Sequence, residues 1–214
     1  MKIGIIGSGS VAQTLGSGFL GAGHSVMLGS RSSDKLSAWS SANPAAAVGS
    51  FEAAAQFGDV IVLAVKGVHA AAALRIAGAS SLAGKAIIDA TNPIAEQPPV
   101  DGVLRFFTST NESLLEQLQH EFPAAHLVKA FNSVGAGLMV HPALPGGPPT
   151  MFLCGNDAGA KATVSGLVTA LGWEPMDMGT AVAARAIEPL CMLWCIPGMR
   201  GGSWTHAFKL LRPA

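Results

Sequence analysis

With 214 residues the chain is long enough for one α/β domain with a small appendage and a sizeable buried core. Half of its residues are hydrophobic and only 12% are charged, with thirteen basic residues balancing thirteen acidic ones. That balance leaves no electrostatic footprint for nucleic acid or an anionic membrane surface, and so lightly charged a chain is expected to hide part of its surface in an oligomer.

The first predicted element is a short buried strand built on Ile3, Ile5 and Ile6. Gly7, Gly9 and Ala12 follow as G-x-G-x-x-A, the dinucleotide-binding fingerprint, in the required setting of strand, turn and helix. Gly7 permits the tight turn, Gly9 lets backbone approach a pyrophosphate, and Ala12 keeps the helix near the sheet. Ser8 and Ser10 add hydroxyl donors, and the turn as a whole (Gly7, Ser8, Gly9, Ser10, Val11 and Ala12) is assigned to the phosphates. These would rest on the N–H groups opening a helix predicted over Ser10–Ala22. Gly23-His24 ends that helix, and a second strand is predicted over Ser25–Leu28.

The end of the second strand selects the cofactor. An NAD enzyme presents Asp or Glu about 20 residues past the fingerprint to hold the ribose 2′-OH. Here Gly29, Ser30 and Arg31 stand at that place, with Lys35 one turn later. A guanidinium fork, a hydroxyl and an ammonium suit a 2′-phosphate, so Ser30, Arg31 and Lys35 are read as an NADP(H) site.

A short helix to Ser41 follows, with Trp39 turned inward, and Asn43-Pro44 breaks it. Ala45–Val48 is predicted as a third strand, and Ser50 as the cap of a helix over Phe51–Phe57. Val60–Val65 is a continuous apolar run of the kind a strand buried on both faces shows. Its carboxyl end presents Ala64, Val65, Lys66 and, at the start of the next helix (Ala70–Ala79), His69. Ala86–Asp89 is the fifth strand, ending in Thr91, Asn92 and Pro93. A helix over Asn111–Phe122 and a strand over Leu127–Phe131 come next, the latter carrying Ala130, Phe131 and Asn132 at its end. Open α/β sheets bind ligands at such strand ends.

The Gly/Pro-rich passage Pro142–Pro149 separates residues 1–149, read as a dinucleotide-binding Rossmann domain, from a small α/β extension over 150–214. Within the extension the prediction is strand Thr150–Cys154, helix Ala158–Leu171, strand Trp173–Asp177 and one long apolar helix from Thr180 to Cys195. The fold class is thus α/β, a doubly wound, mostly parallel sheet with a C-terminal extension. Arg185 and Glu188 stand one helical turn apart and read as an i,i+3 ion pair. Cys154, Cys191 and Cys195 lack a framework spacing and read as buried thiols. The N-terminal apolar run is broken by Gly4 and Gly7, unlike a signal peptide, and no uncharged run of about 18 residues is expected to span a membrane. A cytoplasmic location is expected. G-x-S-x-G, H-E-x-x-H and a Cys/His cluster are absent from the sequence, so hydrolase and metalloenzyme readings lack support and no metal is assigned. The residues after the Rossmann part are too few for the helical domain of a β-hydroxyacid dehydrogenase.

The motifs GSGSVA (Gly7–Ala12), GHSVMLGSRSSDK (Gly23–Lys35), AVKGVH (Ala64–His69), LCGND (Leu153–Asp157) and ARAIEPL (Ala184–Leu190) resemble those of the NADP-dependent coenzyme F420 reductases over nearly the whole chain. The cytosolic domain of the six-transmembrane ferric reductases resembles it more distantly. The resemblance implies that Ser30, Arg31 and Lys35 grip the 2′-phosphate. It also implies hydride transfer between NADP(H) and a small-molecule flavin-like acceptor, coenzyme F420 or FMN. Lys66-Gly67 departs from the Pro-Trp that the family tends to carry there, and Phe131-Asn132 is more like the ferric-reductase relatives. These departures leave the NADP site untouched and the acceptor open. Such a transfer needs alignment more than an acid or base. No catalytic residue is therefore assigned, and Lys66, His69, Asn92 and Asn132 are candidates for the nicotinamide or the acceptor. Each also has a plainer reading: a solvated lysine, a helix cap, two turn asparagines. His141, before Pro142, reads as a loop residue. A non-catalytic NADP(H)-binding sensor or partner subunit is the alternative to an enzyme. The apolar helix and the resemblance both point to a homodimer, with Leu190, Leu193 or Trp194 near the interface and Gly201–Phe208 near the acceptor.

Overall fold

The computed structural model describes residues 1–213, and within them eight strands form one sheet in the order β3–β2–β1–β4–β5–β6–β7–β8. β1 (Lys2–Ile6) leads through the glycine turn into α1 (Ser10–Gly21). β2 (Ser25–Gly29) returns parallel to β1, with Ile6 opposite Gly29. After a 3₁₀ turn, α2 (Ser37–Ala42) buries Trp39, whose Nε1 donates to Gln13 O and Ser17 Oγ on α1. β3 (Ala47–Gly49) starts two residues later than predicted because the Asn43-Pro44 turn still holds Ala46, whose N–H donates to Asn43 O.

Ser50 caps α3 (Phe51–Phe57) as its position predicts, accepting from Ala53 N. β4 (Val60–Leu63) stops short of Val65: Ala64 keeps one bond to Ile6 O, and the chain then leaves the sheet into a 3₁₀ turn at Gly67–His69. α4 (Ala70–Ala77) ends at Gly78, whose φ of 88° only glycine adopts freely, and the short α5 (Ala79–Leu82) precedes β5 (Ala86–Asp89). A loop with isolated bridges Ile94–Phe106 and Val100–Val103 leads to α6 (Leu114–Glu121). α6 begins three residues later than predicted because Ser113 and Glu116 form a capping box there.

β6 (His126–Lys129) ends two residues before the predicted limit, because Phe131 takes a left-handed φ of 61° that no strand continues. β7 (Thr150–Gly155) is antiparallel to β6, α7 (Ala158–Ala170) is capped by Asp157, and β8 (Glu174–Asp177) lies parallel to β7. Residues 150–177 therefore continue the same sheet. The predicted single tail helix is two: α8 (Ala184–Ile187) and α9 (Leu190–Met199), separated at Glu188-Pro189, with a 3₁₀ turn at Ala181–Ala183 ahead of them. Pro189 has no N–H to continue the ladder. By length and hydropathy the stretch Ala181–Met199 reaches what a membrane span needs, although it carries Arg185 and Glu188 and so is not the uncharged run that a span was expected to require. Here it is interrupted, and Glu188 within it is bound into the sheet.

Two cores sandwich the sheet. On one face α1, α2 and α7 pack Leu15, Phe19, Trp39, Val164 and Leu167 against Ile3, Ile5, Val62 and Val128. On the other, α3, α4, α6 and α8 cover Ile6, Ile61, Leu63, Ile87 and Leu127. At about 25 cal/mol per Å² of buried apolar surface, these faces dominate the stability. A small third cluster joins Cys191, Trp194 and Cys195 of α9 to Ile94, Leu104, Phe106 and Phe208. The strand order reverses between β1 and β4, so the chain leaves their carboxyl ends in opposite directions and a crevice opens there.

Candidate functional site

The crevice at that reversal holds a cavity of about 680 Å³, a size that suits a small-molecule cofactor. One wall is the turn after β1. Gly7 has φ 146°, and a Cβ there would meet Ala64 O at 2.2 Å, so only glycine fits. Gly9 is the opposite case: a Cβ on it would meet nothing within 4 Å, so its backbone faces open space in the cavity. No side chain caps α1 and no acidic residue stands in its first turn. Its leading N–H groups therefore remain available to an anion, favoured by the helix dipole. Ala12 is fully buried behind the turn and does not line the cavity.

The second wall follows β2. Ser30 is buried, and its hydroxyl is spent on its own turn: Oγ donates to Ser32 O at 2.7 Å and accepts from Ser32 N. That Ser turn presents Arg31 and Lys35 at the cavity's edge, both exposed. Among the described residues neither forms an ion pair. Two exposed cations, unpaired among the described residues, fit a 2′-phosphate, and the open backbone at Gly9 fits a pyrophosphate. The residues present therefore accommodate NADP(H). The third wall is the end of β4, with Ala64, Val65, Lys66 and His69; Lys66 and His69 are exposed, and His69 stands at the start of α4 without capping it through its ring. Ser32, Phe51, Ala72, Ala73, Ile76 and Ala90 line the cavity as well and were missed from sequence. Ala72, Ala73 and Ile76 share one face of α4, which the spacing A-A-x-x-I could have indicated.

Of the remaining predicted residues, Thr91, Asn92, Pro93, Ala130, Phe131 and Asn132 stand at the ends of β5 and β6 and do not line this cavity. Asn92 and Asn132 bind each other: Asn92 Nδ2 donates to Asn132 O at 2.8 Å and Asn132 Nδ2 to Asn92 Oδ1 at 3.2 Å. Asn132 Nδ2 also donates to Ile187 O, while its Oδ1 is buried without a partner.

Beneath them lies a charge cluster absent from the sequence reading. Lys129 is fully buried, with Nζ 2.6 Å from Asp89 Oδ2, 2.9 Å from Glu188 Oε1 and 3.0 Å from Thr91 O. Burial alone would push this ammonium toward its neutral form; Asp89 and Glu188 outweigh it and hold its pKa above the ordinary lysine range. The predicted Arg185–Glu188 pair does not form. Glu188 turns inward to Lys129 and accepts from Leu114 N and Leu115 N, while Arg185 turns outward and makes a bidentate pair with Glu116. The signal was present: Asp89 and Lys129 each end a buried apolar strand, and they stand opposite each other in register. The cysteines are free and buried, and burial pushes the Cys154 thiol up to about 12, so it is no nucleophile at neutral pH.

Residues 2–93 match the family described as NADP oxidoreductase, coenzyme F420-dependent. A candidate F420-dependent NADP reductase of Arthrobacter sp. FB24 has a solved structure similar to this chain, with 34% identity and a TM-score of 0.91 over 99% of this chain and 100% of that one. Metalloreductase STEAP3 of Rattus norvegicus is 34% identical over 213 residues, which are 92% of this chain and 38% of that protein, so the chain spans well under half of that relative. A reductive aminase from Aspergillus terreus, solved with NADPH and ethyl-5-oxohexanoate, is similar in fold alone, at 17% identity and a TM-score of 0.66 over 90% of this chain and 59% of that one. A Rossmann sheet, a phosphate turn, a basic 2′-phosphate end and a relative matched along its full length converge: the chain belongs to the coenzyme F420-dependent family of NADP oxidoreductases.

Proposed function

We propose that this chain transfers hydride between NADP(H) and a flavin-like ring, coenzyme F420 or a flavin such as FMN. The observation that carries the reading is the polarity of the crevice. Its basic edge, at Arg31 and Lys35, suits a 2′-phosphate, whereas Ala64, Val65 and Ala90 offer an apolar surface for a planar ring, with Lys66 beside it. When bound, NADPH supplies the hydride. The chain binds and orients: the turn at Gly7–Val11 donates backbone N–H groups to the diphosphate, and Arg31 and Lys35 fix the register of the cofactor along the crevice. Val65 shapes the floor where two rings stack, and Lys66 donates a charged hydrogen bond at that end. Alignment of the two rings supplies most of the rate. In the same reading residues 1–149 hold the cofactor, residues from 150 on border the acceptor, and the protein is cytoplasmic.

A ferric-type reductase is the second reading, favoured by Phe131-Asn132 at the end of β6 and by the STEAP3 relative. We also propose a homodimer. Leu193 of α9 is 55% exposed and Leu190 is half-buried, whereas Trp194 is turned inward, so Leu193 is the side chain expected at the interface. Light scattering at micromolar concentration tests this, and a mass near a single chain refutes it.

NADPH oxidation measured against F420, FMN and ferric chelates, with NADPH affinity measured in parallel, tests the function. Turnover with F420 or FMN is expected. Turnover with ferric chelates alone would establish the second reading, and tight NADPH binding without any turnover would make the chain a sensor or partner subunit.

A further inference from the structure

A buried ammonium between two buried carboxylates is a poor way to stabilise a fold. Desolvating the three charges costs several kcal/mol per ion, and hydrophobic residues of similar volume often serve as well or better. The cluster of Lys129, Asp89 and Glu188 therefore calls for another reason, and its placement supplies one. It sits at the carboxyl ends of β5 and β6, where open α/β sheets bind ligands, and it ties three segments together. Asp89 Oδ1 accepts from both Thr91 N and Thr91 Oγ1, and Lys129 Nζ donates to Thr91 O, so the backbone leaving β5 is held at three points. Glu188, at the break between α8 and α9, brings the C-terminal arm to the same ammonium. One residue away, Ile187 O accepts from Asn132, which shares its amide with Asn92. Asn92 in turn packs on the cavity wall: a Cβ at Gly67, next to Lys66, would lie 1.9 Å from Asn92 O.

We propose that Glu188 and Lys129 are positioning residues for hydride transfer, through which the C-terminal arm sets the strand-end floor of the crevice by way of Thr91, Asn92 and Gly67. This rests on the proposed function for its rate readout, but the device itself has a reading that needs no acceptor. The chain of contacts is continuous, each link is a hydrogen bond or a close backbone contact, and the links closest to the cavity are made by neutral groups. The buried charges stay behind the strand ends, and their orienting effect is passed toward the crevice through amides. The buried, unpartnered Oδ1 of Asn132 lies within this chain and leaves one acceptor free at the strand end.

Glu188→Gln keeps the shape and one acceptor for the α6 N–H groups while removing the charge that holds Lys129. The expected result is an NADPH affinity within about twofold of wild type, a kcat lowered about tenfold or more at saturating acceptor, and a changed emission of the bound nicotinamide. Asn92→Ala, at a half-buried position that does not threaten folding, is expected to move the same readouts in the same direction by less. Unchanged kcat and unchanged nicotinamide emission in both variants would overturn the proposal. So would a parallel loss of NADPH affinity, rate and thermal stability, which is what a purely structural role gives. If the wild-type protein binds NADPH and reduces none of the acceptors, the proposed function fails, and the emission of bound nicotinamide in the two variants still decides this inference.

Discussion

On the side of the crevice next to β1 and β2, the chain binds with backbone and with exposed cations: Gly7 and Gly9 make room, the first turn of α1 offers N–H groups, and Arg31 and Lys35 lie free at the rim. On the side next to β5 and β6 it does the reverse. There the polar groups are side chains, they are buried, and nearly all of them are satisfied by one another. The first arrangement uses residues that contribute little to folding and are free to serve a ligand. The second fixes a surface by committing its polar groups inside the protein. A substitution at Gly9, Arg31 or Lys35 should therefore alter binding without altering stability, and one on the second side should alter stability or rate without altering cofactor affinity.

The largest departure is expected from Lys129→Met. It leaves Asp89 and Glu188 buried without their cation, and breaking a buried pair in this way costs about 3–5 kcal/mol. Urea unfolding measures it, and a loss under about 1 kcal/mol would mean that water reaches the cluster.

Gly9→Val is the mirror experiment. Its Cβ has open space, so the melting temperature should stay within about 2 °C, while NADPH and NADH affinities should both fall by about 100-fold or more because the branched side chain occupies the phosphate position. Retained NADPH binding would remove the turn from the site. At Gly7, two turn positions earlier, any side chain meets the Ala64 carbonyl and should cost the fold itself.

Arg31→Ala sharpens the cofactor assignment. Charge-assisted hydrogen bonds contribute about 1.5–3 kcal/mol, so NADPH affinity should fall about 10- to 100-fold. NADH affinity should hardly change, and isothermal titration with both cofactors separates the outcomes. Equal losses would dismiss the 2′-phosphate site. The same change at Ser30 should act through loop shape, because its hydroxyl is engaged by Ser32.

The smallest effect is a pH dependence at the surface. The Arg185 hydrogen bond, more than any other cause, holds Glu116 below its ordinary value of 4.5. A carboxylate lowered on folding adds stability above its unfolded pKa and loses it as pH falls through the folded one. Both side chains are partly exposed, so solvent screens the pair and its contribution is small. The stability difference between wild type and Arg185→Ala should be present near neutral pH and be lost as pH falls below the ordinary glutamate range, where Glu116 is protonated in both states. A difference that persists there would point to packing of the arginine stem instead.

The same contrast explains what could be read from the sequence. The β1 side was legible because its chemistry is local: G-x-G-x-x-A and Ser30-Arg31 carry their meaning within a few residues, and Ser50 announces its helix by capping chemistry alone. The β5–β6 side was not, because it is assembled across the chain. Glu188 and Arg185 stand three apart on an apparent helix, and local spacing pairs them with each other. The fold gives Glu188 its partner at Lys129 and Arg185 its partner at Glu116, and Pro189 interrupts the helix just after Glu188. Phe131 was hidden for a similar reason: nothing in the composition of a strand end forecasts a left-handed phenylalanine.

The double use of Glu188 sets an order of events in synthesis. Helix α6 has its first two N–H groups bound by a residue more than 70 positions further on, and Lys129 receives its second carboxylate from the same late side chain. While the ribosome is still adding the extension, the strands and helices already outside have the Lys129–Asp89 pair but lack its second carboxylate, and the first turn of α6 stays open. Closing that gap requires residues about 74 positions apart to meet, a long-range contact of the slow kind in folding kinetics. A fragment cut at residue 149 would keep the outline of a Rossmann domain but lose both α6 N–H bonds and the second carboxylate at Lys129, so it is expected to be less stable than the full chain.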